Sequence, residues 1–217
     1  MVAQMQSVFA DNWTKVTGEV LHGDDYFPAL EKRGDARAQM FSSSPEGGSE
    51  SMQLMYLLAI TAAARSIHLS SAYFVPGDLT LKALVAAAKR GVTIEIVTPG
   101  EHMDAQTVQK ASRARWGELL EAGVKIFEYR PTMYHCKVMI VDGLWVSVGS
   151  TNFDSRSFAL NDEANLNIFD AAFASRQIEI FQHDVAKSKA TTLAEWRQRP
   201  LLEKLVERAA AMLSAQL

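Results

Sequence analysis

A histidine and a lysine two positions apart, His135 and Lys137, are the residues of this chain best suited to phosphate chemistry. They precede two apolar runs, 138–141 and 144–148, and Asp142-Gly143 between such runs is a strong β-hairpin signal. Because side chains alternate faces along a strand, the imidazole and the ammonium are predicted to project to the same side. The pair could bind a phosphate group and react with it.

Small polar residues follow the second apolar run. Gly149 ends that run, and Ser150 and Asn152 then supply a hydroxyl group and an amide, both of which can hydrogen-bond an oxyanion. We therefore predict that Lys137, Ser150 and Asn152 bind phosphate oxygens.

A carboxylate that could orient the histidine lies further along the chain. A histidine that attacks phosphorus, or protonates a leaving alkoxide, needs its second ring nitrogen held by an acceptor that fixes the tautomer. Glu163 is the candidate acceptor, and it lies in a segment, 160–169, whose later part alternates apolar and polar residues as a strand does. A sheet is thus expected to assemble the site.

This pattern resembles the HKD motif of the phospholipase D superfamily. Seven positions agree with that motif in type and spacing: His135, Lys137, Asp142, Gly149, Ser150, Asn152 and Glu163. Three longer stretches, 42–51, 71–100 and 149–170, are similar to bacterial cardiolipin synthases and their relatives. The resemblance therefore extends over nearly the whole chain.

The resemblance implies a fold and a mechanism. The fold is α/β, a mixed β-sheet with helices on both faces in an α-β-α sandwich that carries a single HKD repeat. The chemistry is phosphoryl transfer without metal or cofactor, in which one motif's histidine forms a phosphohistidine and the other's protonates the departing alcohol. The family pattern makes four residues catalytic: His135, Lys137, Asp142 and Glu163. His135 is expected to be the general acid and base if a separate half supplies the nucleophile, whereas in a homodimer the two copies would have to divide the roles.

The family builds one active site from two such motifs, and this chain contains one. None of its other four histidines is followed by lysine two residues on. We therefore expect a C-terminal half that works with a missing N-terminal HKD half or with a second copy in a homodimer. Residues 1–36 are expected to be a helical tail or linker from a preceding repeat, 37–190 the catalytic half-domain, and 191–217 an amphipathic helix.

The resemblance also implies a substrate and a location. Phosphatidylglycerol would donate its phosphatidyl group to a second phosphatidylglycerol, giving cardiolipin and glycerol, at the cytoplasmic face of the inner membrane. Two alternatives stay open. One is a phosphodiesterase of the same superfamily that acts on another lipid or on nucleic acid, and the other is a catalytically silent half-domain or a gene fragment.

The composition limits the kinds of partner and compartment that can be expected. The formal net charge of −3 and the pI near 6.0 give no overall signal for nucleic acid, so no nucleic-acid partner is expected. The single Cys136 cannot form an intrachain disulfide or a thiolate metal cluster, which fits a reducing compartment. The longest apolar segment, 52–64, is shorter than the roughly 20 residues that span a bilayer, and no signal peptide is evident. A cytosolic protein that meets a membrane surface is expected.

Periodicity predicts alternating helices and strands. Helices are expected at 4–18, 26–33, 50–64 with Ser49 as N-cap, 79–89, 104–122, 171–190 and 201–217, and strands at 36–41, 67–73, 92–97 and 124–129 besides those already described.

Three features of the sequence have two possible interpretations each. Asp142 could serve the turn as much as the site, and the turn role is favoured. Residues 47–49 with Ser44 could cradle a phosphate, but a turn and helix N-cap is favoured. The final helix could lie on a membrane, although Glu203 and Glu207 beside basic neighbours are typical of an ordinary solvated face.

Overall fold

The computed structural model describes residues 1–45 and 50–212. Helices and strands follow one another in this order: α1 (Val2–Thr17), β1 (Arg37–Ser43), α2 (Glu50–Ala62), β2 (Ser66–Ser71), α3 (Asp78–Lys89), β3 (Thr93–Pro99), α4 (Gln106–Glu121), β4 (Lys125–Tyr129), β5 (Lys137–Val141), β6 (Trp145–Gly149), α5 (Ser155–Ala159), β7 (Glu163–Phe169), α6 (Ala171–Ala186), β8 (Ser188–Thr191), α7 (Leu193–Arg197) and α8 (Leu201–Met212). The predicted N-cap, Ser49, and the possible phosphate cradle at 47–49 lie outside the described residues.

The strands form one mixed sheet in the order β1-β7-β6-β5-β2-β3-β4-β8. β2, β3 and β4 run parallel, and the other neighbours pair antiparallel. The β2-α3-β3 segment is the predicted β-α-β unit. This architecture confirms the predicted α/β class with a mixed sheet.

Helices cover both faces of the sheet, as strand β5 makes clear. Met139 and Val141 belong to a core cluster with residues of α2, α3 and α4, whereas Ile140 between them packs with Ala174 of α6. This alternation is the period of two that a strand buried on both faces requires. Trp116 of α4 is among the largest fully buried side chains of the first face.

The predicted hairpin is present. β5 and β6 pair from Val138 with Val148 to Val141 with Trp145, and the N–H of Leu144 donates to the carbonyl of Val141 at 3.0 Å. Asp142 and Gly143 both have positive φ, 56° and 64°, as in the type I′ turns that suit the twist of paired strands.

The predicted helix at 26–33 is wrong. Only a turn at 24–26 lies in this region, and all residues from 22 to 37 are exposed. A short helix is marginal without an apolar face to bury, and Pro28 and Gly34 oppose one further.

The C-terminal region also differs from prediction. The helix expected at 171–190 ends at Ala186, and β8 then pairs antiparallel with β4 at the sheet's edge. The described part of 191–217 holds two helices rather than one. Glu207, predicted on a solvated face, is 1% exposed and lies 3.1 Å from Arg199, while Leu201 and Leu202 are exposed. Across residues 1–45 and 50–212, no helix has both the length and the apolarity to cross a membrane.

Candidate active site

Apart from Asp142, the predicted site residues gather at one end of the sheet, where the ends of five strands meet. Lys137 begins β5 opposite Ser71, the last residue of β2. Gly149 ends β6, and Glu163 begins β7 opposite Ser43, the last residue of β1. The antiparallel pairing therefore brings together residues that are far apart in sequence.

His135 and Lys137 are in contact. The Lys137 Nζ lies 3.1 Å from His135 Nδ1 and 3.2 Å from Nε2, and it also donates to the His135 carbonyl oxygen at 3.1 Å. His135, however, lies in the irregular segment before β5 and not on the strand as predicted. The pairing therefore depends on the lysine side chain reaching back toward the imidazole and not on simple strand alternation.

Acidic groups surround the half-buried Lys137. Burial lowers the pKa of its ammonium group below the ordinary value, while Cys136, Glu163, Asp154 and Asp104 act in the opposite direction. The three carboxylates thus lie close enough to Lys137 to stabilise its charged form.

Tyr73 and Asp104 extend the site beyond the predicted residues. The Tyr73 ring meets the His135 ring edge to face, with centroids 6.2 Å apart and an interplanar angle of 82°. Its hydroxyl donates to the Asp104 carboxylate at 2.8 Å, and burial, followed by Asp104, raises the pKa of Tyr73 to about 12. The two residues follow the adjacent parallel strands β2 and β3, and residues after such strands meet at one edge, so this position was the signal that could have identified them.

The loop after β6 is held against the segment that carries Tyr73. The Tyr73 N–H donates to Asn152 Oδ1 at 3.3 Å, and the Phe153 N–H donates to the Tyr73 carbonyl at 3.0 Å. Because Asn152 Oδ1 is the acceptor, the NH₂ end of this buried side chain is the group that can donate to an anion. This orientation suits the predicted phosphate contact.

Ser150 and Glu163 form a hydrogen-bonded pair. The Ser150 hydroxyl donates to the Glu163 carboxylate and accepts from the Ala164 N–H at 3.0 Å, and the Asn161 amide also donates to Glu163 at 3.2 Å. Glu163 is 6% exposed. Within the described chain no hydrogen bond joins Glu163 to His135, so its orienting role stays a prediction.

Two residues explain why the loop after β6 has its shape. A Cβ on Gly149 would overlap the carbonyl oxygen of Ala164 and the Asn165 side chain, so only glycine fits. The fully buried Asn165 accepts from the Thr151 hydroxyl at 2.9 Å and donates to Tyr56 at 2.7 Å. Asn165 therefore fixes the first residues of the loop against the core.

Asp154 is a buried carboxyl group near the site that sequence reasoning missed. It is 2% exposed and caps α5 by accepting from the Ser157 N–H at 2.8 Å. Burial, with a smaller contribution from Glu163, raises the pKa of Asp154 to about 6, although hydrogen bonds from Ser157 and Arg156 act in the opposite direction. Its charge therefore varies across the physiological pH range.

Asp142 lies away from this site. It follows β5 at the other end, roughly 16 Å from Lys137 at the usual rise of a strand. Its carboxylate accepts from the N–H groups of Ala64 at 2.9 Å, Arg65 at 2.7 Å and Ser66 at 2.9 Å. Burial alone would raise the pKa of Asp142, but these N–H groups bring it below its ordinary value. This position supports the turn role over a chemical one.

Known proteins resemble this arrangement. A family model described as "Cardiolipin synthase, PLD-like domain" matches residues 56–185, a range that includes the HKD residues and Glu163. The chain belongs to the phospholipase D superfamily. The predicted membership is thus confirmed.

Relatives within this superfamily match almost the full chain. The cardiolipin synthase of Geobacillus thermodenitrificans is 35% identical over 215 residues, 98% of this chain and 43% of that protein. Cardiolipin synthase A of Proteus mirabilis is 37% identical over 206 residues, 93% of this chain and 42% of that protein. The chain therefore spans less than half the length of these relatives.

A solved structure has the same fold. Nuc from Salmonella typhimurium, a phospholipase D family member, superposes with a TM-score of 0.63 at 28% identity, covering 73% of this chain and 99% of Nuc.

Proposed function

We propose that this chain supplies the C-terminal half of a two-motif active site that transfers phosphatidyl groups, and that its product is cardiolipin. The observation that carries the proposal is the contact between His135 and Lys137, in a chain similar to cardiolipin synthases over 98% of its length. Residues 37–190 are the proposed half-domain. The other motif comes from an N-terminal half or from a second copy.

The reaction has two steps. In the first, an imidazole nitrogen of the partner motif attacks the phosphorus of phosphatidylglycerol, the phosphorus–oxygen bond to glycerol breaks, and His135 gives a proton to the departing oxygen. In the second, a hydroxyl of another phosphatidylglycerol gives its proton to His135. Its oxygen then bonds to phosphorus while the phosphorus–nitrogen bond breaks. Two phosphatidylglycerols thus become one cardiolipin and one glycerol.

Lys137 and Asn152 are the residues that stabilise the charge on the phosphate oxygens. An ammonium and an amide N–H held in place can stabilise charge on the nonbridging oxygens as it develops. Lys137 is positioned for this by its contacts with His135, and Asn152 by the Tyr73 N–H. Ser150 already binds Glu163, so its contribution is to hold that carboxylate as well as to contact phosphate.

The proposed substrate places the protein at a membrane surface, on the cytoplasmic face of the inner membrane. Exposed leucines on α8 support such a contact: Leu201 is 79%, Leu202 74% and Leu205 62% exposed. Apolar side chains on one side of a charged helix can enter the interfacial region of a bilayer.

Product formation from phosphatidylglycerol in mixed micelles tests the proposal, with the chain titrated over a wide concentration range. Turnover that rises faster than linearly with protein indicates that two copies form the site. An inactive but folded chain that gains activity when mixed with a separately produced N-terminal HKD half indicates a heterologous site.

His135→Ala must abolish turnover in either case, whereas Ser175→Ala, on the exposed side of α6, must not. Turnover retained by His135→Ala would contradict the proposal. So would a folded chain that stays inactive alone and with the second half.

A further inference from the structure

A cavity of about 410 Å³ that is lined mainly by polar residues opens beside the motif residues, between α1, the end of β1 and the start of β7. Residues 42–44 line one side, Asp162 and Glu163 another, and Asp11 and Asn12 of α1 the third. Ser150 also contacts this cavity, which therefore adjoins the proposed active site. Its volume lies in the usual range of small-molecule sites, about 300 to 1,000 Å³.

We propose that this cavity binds the polyol part of the acceptor alcohol, the glycerol head group of the second phosphatidylglycerol. This inference rests on the proposed function and names where its second substrate is held. It also explains how the enzyme would favour transfer over hydrolysis, since an alcohol held there competes with water for the phosphohistidine.

The lining suits hydroxyl groups and disfavours phosphate. It combines three carboxylates, those of Asp11, Asp162 and Glu163, with serine hydroxyls, and the described part of the chain contributes no lysine, arginine or histidine to it. A hydroxyl can donate to a carboxylate and accept from a serine, whereas a phosphate would meet like charge. Lys15 of α1 lies 2.9 Å from Asp11 and 3.9 Å from Asp162, so it links α1 to the residue before β7 and offsets part of the negative charge.

Ser43 gives an independent indication of a ligand. The residue is 7% exposed, and its hydroxyl has no hydrogen-bond partner within the described chain. A buried polar group without a partner is rare and destabilising, and a hydroxyl of a bound polyol would satisfy it. Ser43 pairs with Glu163 across β1 and β7, so the same ligand can reach a serine and a carboxylate.

The chemical step follows from that placement. One hydroxyl of the bound glycerol group gives its proton to the histidine that acts as base, and its oxygen bonds to phosphorus as the phosphorus–nitrogen bond breaks. When the cavity is empty, water takes the same path and phosphatidic acid forms. The ratio of cardiolipin to phosphatidic acid therefore reports on the cavity, and release of glycerol, one molecule for each donor consumed, reports on the proposed function.

Ser43→Ala tests the inference. We expect the ratio of cardiolipin to phosphatidic acid to fall about fivefold, the effect of one lost hydrogen bond, while glycerol is still released. The variant should fold at least as well as the parent, because it removes an unpaired buried hydroxyl, and thermal unfolding checks this. Ser175→Ala, an exposed serine on α6, is the matched control and should change neither quantity. An unchanged ratio in folded Ser43→Ala overturns the inference.

Binding gives a readout that does not need turnover. Glycerol added to the isotope-labelled chain should shift the backbone amide signals of 42–44, and Ser43→Ala should weaken those shifts. Inorganic phosphate should instead shift signals around His135 and Lys137. A cavity that responds to phosphate but not to glycerol overturns the inference. A chain with no turnover that binds glycerol at 42–44 refutes the proposed function alone.

Discussion

Replacing Asp142 tests whether its role is structural or chemical, since its position in the HKD motif allows both. Its carboxylate accepts three backbone hydrogen bonds, from Ala64, Arg65 and Ser66, and so attaches the hairpin turn to the segment between α2 and β2. If the role is structural, Asp142→Ala should lower stability and leave the chemistry of the folded protein intact.

The size of the effect can be worked out from these contacts. Hydrogen bonds to a charged group contribute at least about 1.5 kcal/mol each, and the partial exposure of Asp142 reduces their sum to about 2 kcal/mol. Its φ of 56° costs alanine roughly 1 kcal/mol more. We therefore expect a loss of about 3 kcal/mol, or roughly 9 °C in Tm for a chain of this size.

Asp142→Asn should be milder, about 1 kcal/mol, because asparagine tolerates positive φ and its oxygen still accepts. The lowered pKa of Asp142 adds a pH dependence. Its stabilising contribution should be present above its unfolded value, near 3.9, and should disappear as pH falls through the lower folded value.

Urea unfolding at several pH values and phosphatidylglycerol turnover at low temperature measure the two effects separately. Asp35→Ala is the matched control, since its side chain is fully exposed and should change neither. A stably folded Asp142→Ala protein that loses turnover would refute the structural reasoning and assign the carboxylate to the chemistry.

Three further substitutions test the site. Gly149→Ala should destabilise the chain by about 3 kcal/mol in urea unfolding, because its Cβ overlaps Ala164, and an unchanged midpoint would contradict this. Tyr73→Phe removes the hydrogen bond to Asp104 and should lower kcat about fivefold and shift the NMR signals of the His135 ring, with little change in KM. The pKa of Asp154 is raised to about 6, so the folded chain binds its proton more tightly than the unfolded chain does. The free energy of unfolding should therefore fall by about 3 kcal/mol as pH rises from about 4 through 6. Asp154→Asn should remove this slope when unfolding is measured at several pH values.

The sequence predicted those parts of the fold that short-range patterns determine. The Asp-Gly hairpin and the β2-α3-β3 unit depend on turn chemistry and on the spacing of apolar residues within a few positions. β8 could not be found in this way, because its residues, 188–191, have no apolar alternation and become a strand by pairing with the free edge of β4.

The residue types of the site could be predicted from the sequence, but their contacts could be predicted only in part. The HKD spacing identified His135 and Lys137, but the contact between their side chains does not come from strand alternation, since His135 precedes β5. Tyr73 and Asp104 were missed because their proximity to His135 depends on which strands are neighbours in the sheet. The order of the strands is a property of the tertiary structure, and local periodicity does not predict it.

The charge around Lys137 bears on the proposal that a second half completes the site. The carboxyl groups of Asp104, Asp154 and Glu163 all stabilise the ammonium form of Lys137, and burial raises the pKa of Asp154 to about 6. These carboxyl groups oppose the attraction between Lys137 and a phosphodiester, since screening by water is weak in a partly buried setting. In the proposed two-motif site, a second HKD motif would add another lysine and a histidine. In the assembled site the carboxylates would separate the two lysines, and a bound phosphate would bridge them. Substrate binding and assembly of the two halves would therefore favour each other.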